Sequence, residues 1–175
     1  SAIITKNGKP AAQFDGTNDG IELPDDVLPS TIETCSAFTV QANTNGISFQ
    51  LGDESTAARW YQSYVTSGTE YASYAGAVTA INLGASSDTQ KFITAIAGAT
   101  QTNYQAFVNG TAKGSQLLST NAPASGRGEI SRPALPMTGT FQEAIVYHSD
   151  QSTNRTAIES NIDTYYETTT SFIME

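Results

Sequence analysis

From Ala37 onward the apolar and polar positions alternate with a period of two. AFTVQA sets Phe38 and Val40 on one side of an extended chain, and GISFQLG does the same with Ile47, Phe49 and Leu51. Asn43 to Gly46, between them, reads as the turn that joins two strands. RWYQSYVT, EYASYA, AVTAINL, KFITAIAG and YQAFVNG continue the pattern, with Gly and Asn at nearly every junction. Short strands at such regular spacing predict a sandwich or barrel instead of βαβ units. YQAFVNGTAKGS predicts a hairpin, because Asn109-Gly110 tolerates the left-handed backbone that the favoured two-residue turn requires.

The flanks are less regular. Residues 1–10 form an N-terminal arm or lead-in strand with a turn at Asn7-Gly8. In AAQFDGTNDGIELP, Phe14, Ile21 and Leu23 can face inward, with tight turns at Asp15-Gly16 and Asp19-Gly20. Pro24 to Pro29 is a bend, since proline cannot donate to a sheet ladder. Late in the chain, GTFQEAIVYHS holds Phe141, Ala144, Val146 and His148, which do not share one alternation. Ile145 and Tyr147 form the opposite set, so both faces of this strand are expected to be partly covered. One helix follows, capped by Ser152, with Ile158, Ile162 and Tyr165 at i, i+4 and i+7 as a stripe that docks on the sandwich edge. The tail TTTSFIME has high β propensity and no assignable partner.

Composition narrows the partners. A chain of 175 residues fits one domain, by the prior of roughly 100–200 residues each. The 17 acidic residues against 8 basic ones give a net charge of −9. That balance disfavours nucleic acid, whose binding needs a basic footprint, and anionic membrane surfaces for the same reason. No apolar run approaches the roughly 18 residues needed to span a bilayer, and no signal peptide opens the chain. A Ser1 start without Met is expected of a processed product or an excised piece. Cys35 is the single cysteine, so it makes no intrachain disulfide and reads as a small apolar filler. The abundance of Thr, Ser, Asn, Gln and Gly is common on secreted and virion-exterior β proteins.

QFDGTNDGIELP resembles the opening motif of laminin G-like and pentraxin-like domains of the concanavalin A-like lectin/glucanase superfamily. AFTVQA, FVNG, GTFQEAIVY and STNRTAIESNI agree with that pattern in order, over roughly residues 11 to 167. GTFQEAIVYHSDQSTNRTAIESNIDTYY resembles versions of this domain in bacteriophage virion and marine bacterial surface proteins. EISRPALP departs from the pattern, carrying Ser131 and two prolines where I-G-R is usual. The resemblance implies an all-β, two-sheet antiparallel jelly-roll sandwich with one short C-terminal helix, over residues 11–167, followed by a tail at 168–175. It also implies that the opening turn lies beside the FQEAIVY strand, with Asp15 accepting amides across its own turn.

Catalytic signals are absent from the sequence. Glycosidases on this fold carry paired carboxylates, often as E-x-D-x-x-E on one strand. Here Glu22, Glu33, Glu54, Glu70, Glu129 and Glu143 are scattered, and Asp25-Asp26 sits at the proline bend. His148 is the only histidine and sits at the end of the late strand beside the helix cap, a poor place for the base of a nucleophile, and a single His and a single Cys exclude a His/Cys zinc site. No cofactor is required; calcium remains open, because Asp15, Asp19 and Glu143 could approach a common point if the opening turn neighbours the late strand.

Binding is the surviving class. Sugars are held by aromatic rings against their apolar faces with polar side chains on their hydroxyls, and the richest supply is Trp60, Tyr61, Tyr64, Glu70, Tyr71 and Tyr74. The expectation is a non-catalytic lectin-like module on a virion capsid or tail or another extracellular surface, with a glycan or neighbouring virion proteins as partner and a homo-oligomer possible. The alternative is a structural decoration or assembly domain of a phage particle without glycan binding.

Overall fold

A computed structural model of the chain describes residues 2–24, 34–52, 59–74, 80–97, 103–117 and 128–168. These form β1 (Ala2–Lys6), β2 (Lys9–Asp15), β3 (Ile21–Glu22), β4 (Cys35–Gly52), β5 (Arg59–Thr66), β6 (Thr69–Tyr74), β7 (Ile81–Ala85), β8 (Ser87–Ala97), β9 (Asn103–Val108), β10 (Thr111–Leu117), β11 (Gly128–Ile130), β12 (Thr138–Tyr147) and α1 (Arg155–Tyr166). One sheet runs β1-β2-β12-β4-β8-β9-β10 and the other β3-β11-β4-β5-β6-β7, all antiparallel. The fold is an antiparallel jelly-roll sandwich with one short helix.

β4 belongs to both sheets, which corrects the expectation of two strands joined by a turn. Cys35 to Asn43 pairs with β12 and β8, and Gly46 to Gly52 pairs with β5. Between them the chain turns a corner without reversing. The Asn43 side chain accepts from the Asn45 amide at 3.0 Å and donates to the Gly46 carbonyl at 3.2 Å, satisfying the backbone where the ladder changes partners.

Strand alternation sorts the core. Phe14, Phe49, Leu51, Ile93, Tyr104, Met137 and Phe141 fill the space between the sheets, with Phe49 and Phe141 stacked at 5.8 Å. Phe38, Val40 and Phe92 face the other side of the first sheet, where α1 covers them with Ile162 and Tyr166. The helix therefore docks on a sheet face, not on the sandwich edge. The broken alternation in GTFQEAIVYHS is a bulge: the register with β4 slips between Phe141 and Glu143. Beyond it Ala144 and Val146 pack on the inner core while Ile145 and Tyr147 pack under α1.

Two helix expectations need correction. Ser152 is not the cap; Asn154 occupies that position without a side-chain bond to the helix's first turn, and the Ser152 amide instead donates to Asp150 Oδ1 at 2.8 Å. Tyr166 replaces Tyr165 in the buried stripe, because the i+8 position falls on the same face as Ile158 and Ile162. Tyr165 is 53% exposed and lies under the Lys9 ammonium, 3.9 Å from its ring centre.

The opening segment behaves as the resemblance implied. β2 pairs with β12, Phe14 opposite Gly139, and Asp15 Oδ1 accepts from the Thr17 amide at 2.8 Å. Residues 2–6 form an edge strand on β2. Cys35 is buried, and burial pushes its thiol far above the ordinary range, so it is an inert filler. The bend from Pro24 to Pro29 falls on residues 25–29, and the tail on 169–175; both lie outside the described residues.

Candidate functional site

β5 and β6 form a hairpin closed by Ser67-Gly68, both at positive φ (50° and 76°), the turn whose twist matches that of paired strands. Its register sets Tyr61 opposite Tyr74 and Tyr64 opposite Tyr71. Ser63, Val65, Glu70 and Ala72 are buried, so the intervening positions, Tyr64 and Tyr71, face outward from the second sheet. Their half-buried rings stack with centres 5.6 Å apart. The side chains of Trp60, Tyr61 and Tyr74 lie outside the described residues.

Glu70 departs from its expected place among these residues. The alternation that turns Tyr71 outward turns Glu70 inward, where it is fully buried and contacts Gln41 and Lys91. It does not reach the surface that the tyrosines line.

Tyr64 borders a cleft of about 590 Å³ whose other walls include Ile47, Ser73, Arg132, Leu135 and Pro136. The Arg132 to Pro136 loop makes one side of it. This loop is the EISRPALP segment that departs from the family pattern, and its architecture explains the departure. Ser131 takes a left-handed backbone (φ 56°), donates its hydroxyl to the Asp19 carbonyl at 2.6 Å and accepts from the Met137 amide at 3.1 Å. The Ile47 amide donates to the Leu135 carbonyl at 2.9 Å. Gly46, at φ 76°, lets the loop lie on the β4 corner, since a β-carbon there would run into the Pro136 carbonyl. Arg132 and Leu135 were not legible as site residues. The only signal was the pair of prolines around them.

A row of polar positions crosses the same sheet. Glu22, Glu129 and Gln50 are successive register partners on β3, β11 and β4. Their strand neighbours Ile130, Phe49 and Leu51 pack in the core, so Glu129 and Gln50 face outward although both are buried. Two glutamates more than a hundred positions apart are thus set opposite each other. Sequence spacing could not show this.

The candidate calcium residues are not gathered. Asp15 serves its own turn, and Glu143 lies against Tyr166 under α1. Among the described residues no group of three or more His, Cys, Asp or Glu is placed to hold a metal ion.

No protein-family model matches the sequence, and no curated protein matches it. Solved structures do match in three dimensions. A heptameric SAP-like pentraxin from Limulus polyphemus superposes with a TM-score of 0.61 at 12% identity, over 87% of this chain and 82% of that one. The Ruminococcus gnavus IT-sialidase CBM40 bound to α2,3 sialyllactose gives 0.55 at 13% identity, over 83% and 95%. The fold they share with this chain is the antiparallel jelly-roll sandwich. Mouse laminin α1 domains LG4-5 give 0.62 at 10% identity, over 80% of this chain and 42% of that one. At these identities the likeness is one of fold, and the site is argued from this chain's own residues.

Proposed function

We propose that this protein is a non-catalytic carbohydrate-binding module that takes a glycan into the cleft beside Tyr64. The observation that carries this reading is Tyr64, which stacks on Tyr71 and borders a cleft of about 590 Å³. Small-ligand sites span about 300–1,000 Å³ and combine apolar surface with a few polar groups. Tyrosine offers a flat apolar face and a hydroxyl in one rigid side chain, which suits the two-sided chemistry of a sugar ring. Ser73 and Arg132 supply donors in the same cleft. The sialyllactose held by the R. gnavus module supports this reading of the fold. The placement we infer is a virion capsid or tail or another extracellular surface, in keeping with a sequence rich in Thr and Ser and a net charge of −9. Glycan-array screening followed by calorimetry tests it. We expect hits on the array and a weakening of roughly tenfold for Tyr64→Ala, the scale of one lost aromatic contact of about 1.4 kcal/mol. An array without hits removes the reading.

One observation favours a second, catalytic reading: Glu22 and Glu129 face each other across β3 and β11. Retaining glycosidases hold two carboxyl groups about 5–5.5 Å apart. Release of reducing ends from a polysaccharide, lost in Glu129→Gln, would replace the binding module by a hydrolase.

A further inference from the structure

Beside the β4 corner the space between the sheets ceases to be apolar. Gln41 and Lys91 are register partners on β4 and β8, on the inner face that also carries Ile93 and Ala95. Glu70 enters from β6 of the opposite sheet. Gln41 and Glu70 are fully buried and Lys91 is 8% exposed. Gln41 Nε2 donates to Glu70 Oε1 at 2.7 Å and to Ser48 Oγ at 2.8 Å, so both amide hydrogens are used and the group is held still. The Lys91 ammonium pairs with the other carboxylate oxygen, Glu70 Oε2. One buried carboxylate therefore holds an amine and a primary amide side by side.

We propose that Lys91 and Gln41 become joined by a spontaneous amide cross-link, with Glu70 transferring the protons. Glu70 Oε2 takes a proton from the Lys91 ammonium with which it is paired. The uncharged Nζ forms a bond to the Gln41 Cδ. Glu70 gives its proton to the departing Nε2 and accepts one from Nζ as the Cδ–Nε2 bond breaks. Ammonia leaves, carrying the remaining proton from Glu70 into solvent as ammonium. The sum is one amine and one primary amide converted to one secondary amide and one ammonia, with no change of oxidation state. The nitrogen that leaves is the one already bonded to the acid that protonates it. Fixed proximity supplies what an unactivated amide otherwise lacks, and a desolvated lysine is a competent nucleophile. Cross-strand partners have β-carbons about 4.5–5.5 Å apart, so the link spans β4 and β8 without bending the sheet.

Intact-mass measurement of the folded chain, denatured only at injection and then digested for fragment sequencing, decides the matter. We expect a mass lower than that of the sequence by one ammonia, and a branched fragment containing both Gln41 and Lys91. An unaltered mass overturns the proposal. So does an ammonia loss located at Asn7-Gly8, Asn45-Gly46 or Asn109-Gly110, or a loss of water joining Lys91 to Glu70. Glu70→Gln is expected to keep the full mass and yield no branch; a folded Glu70→Gln chain that still carries the branch removes Glu70 from the reaction. The unsubstituted chain decides whether the link exists, whatever the variants do.

Discussion

Tyr166 ends the buried stripe of α1 with its hydroxyl beside Glu143, and burial followed by that neighbouring carboxylate pushes its phenol from 10.0 up to about 12. Folding thus favours the protonated phenol. A group whose folded value is raised contributes its stability fully below its unfolded value and loses it as pH climbs through the folded one. The melting temperature is expected to fall between about pH 10 and pH 12, and more steeply in the natural chain than in Tyr166→Phe. Thermal melts of both across that range check it; parallel curves would assign the alkaline loss to other groups. Gly46 makes a second claim at this scale. A side chain there meets the Pro136 carbonyl on a backbone at φ 76°. Gly46→Ala should cost more than about 1 kcal/mol and weaken glycan binding by displacing the cleft wall, read by denaturant melts and calorimetry. That Gly46 sits in a change of direction was visible in the sequence; that it admits the 132–136 loop was not, because the loop arrives from ninety positions away.

Elements carry the next level. The β5–β6 hairpin was legible as two alternating strands, but alternation has two phases and the sequence does not choose between them. Burial of Ser63, Val65 and Ala72 chose, and with them Glu70 went inside while Tyr64 and Tyr71 went out. Helix α1 was legible from its apolar period, and its docking face was not, since a stripe of Ile158, Ile162 and one tyrosine fits any apolar surface. The surface it found is Phe38, Val40 and Phe92 on the outside of the first sheet. Ile162→Ala should destabilise the chain by about 2–5 kcal/mol, toward the lower end because the helix can settle into the gap. Urea titration followed by circular dichroism measures this, and a change under about 0.5 kcal/mol, the scale of an indifferent surface substitution, would mean that the helix does not hold that face.

At the scale of the whole molecule, the two sheets are tied in two ways. An apolar core runs from Phe14 to Phe141, and a polar bridge joins Gln41 and Lys91 of one sheet to Glu70 of the other. Removing one member of a buried charged pair costs about 3–5 kcal/mol, because the survivor stays buried without its partner. In Glu70→Ala the Gln41–Lys91 link cannot form and Lys91 stays a buried ammonium without its partner, so stability is expected to fall by about 3–5 kcal/mol, read by guanidinium titration; a neutral result would show that water reaches Lys91. Taken alone, the sequence determined the all-β class, the Asn109-Gly110 hairpin, the turn at Asp15 and the position of the helix. These depend on side-chain period and on residues that tolerate particular backbone angles, which are local properties of the chain. The tertiary structure decided that β4 serves both sheets, that the SRPALP loop walls the cleft, that Glu22 faces Glu129, and that Glu70 meets Lys91 and Gln41. Each of these joins residues from distant segments. Their meeting depends on the register and phase of whole strands, which the packing of one sheet on the other selects.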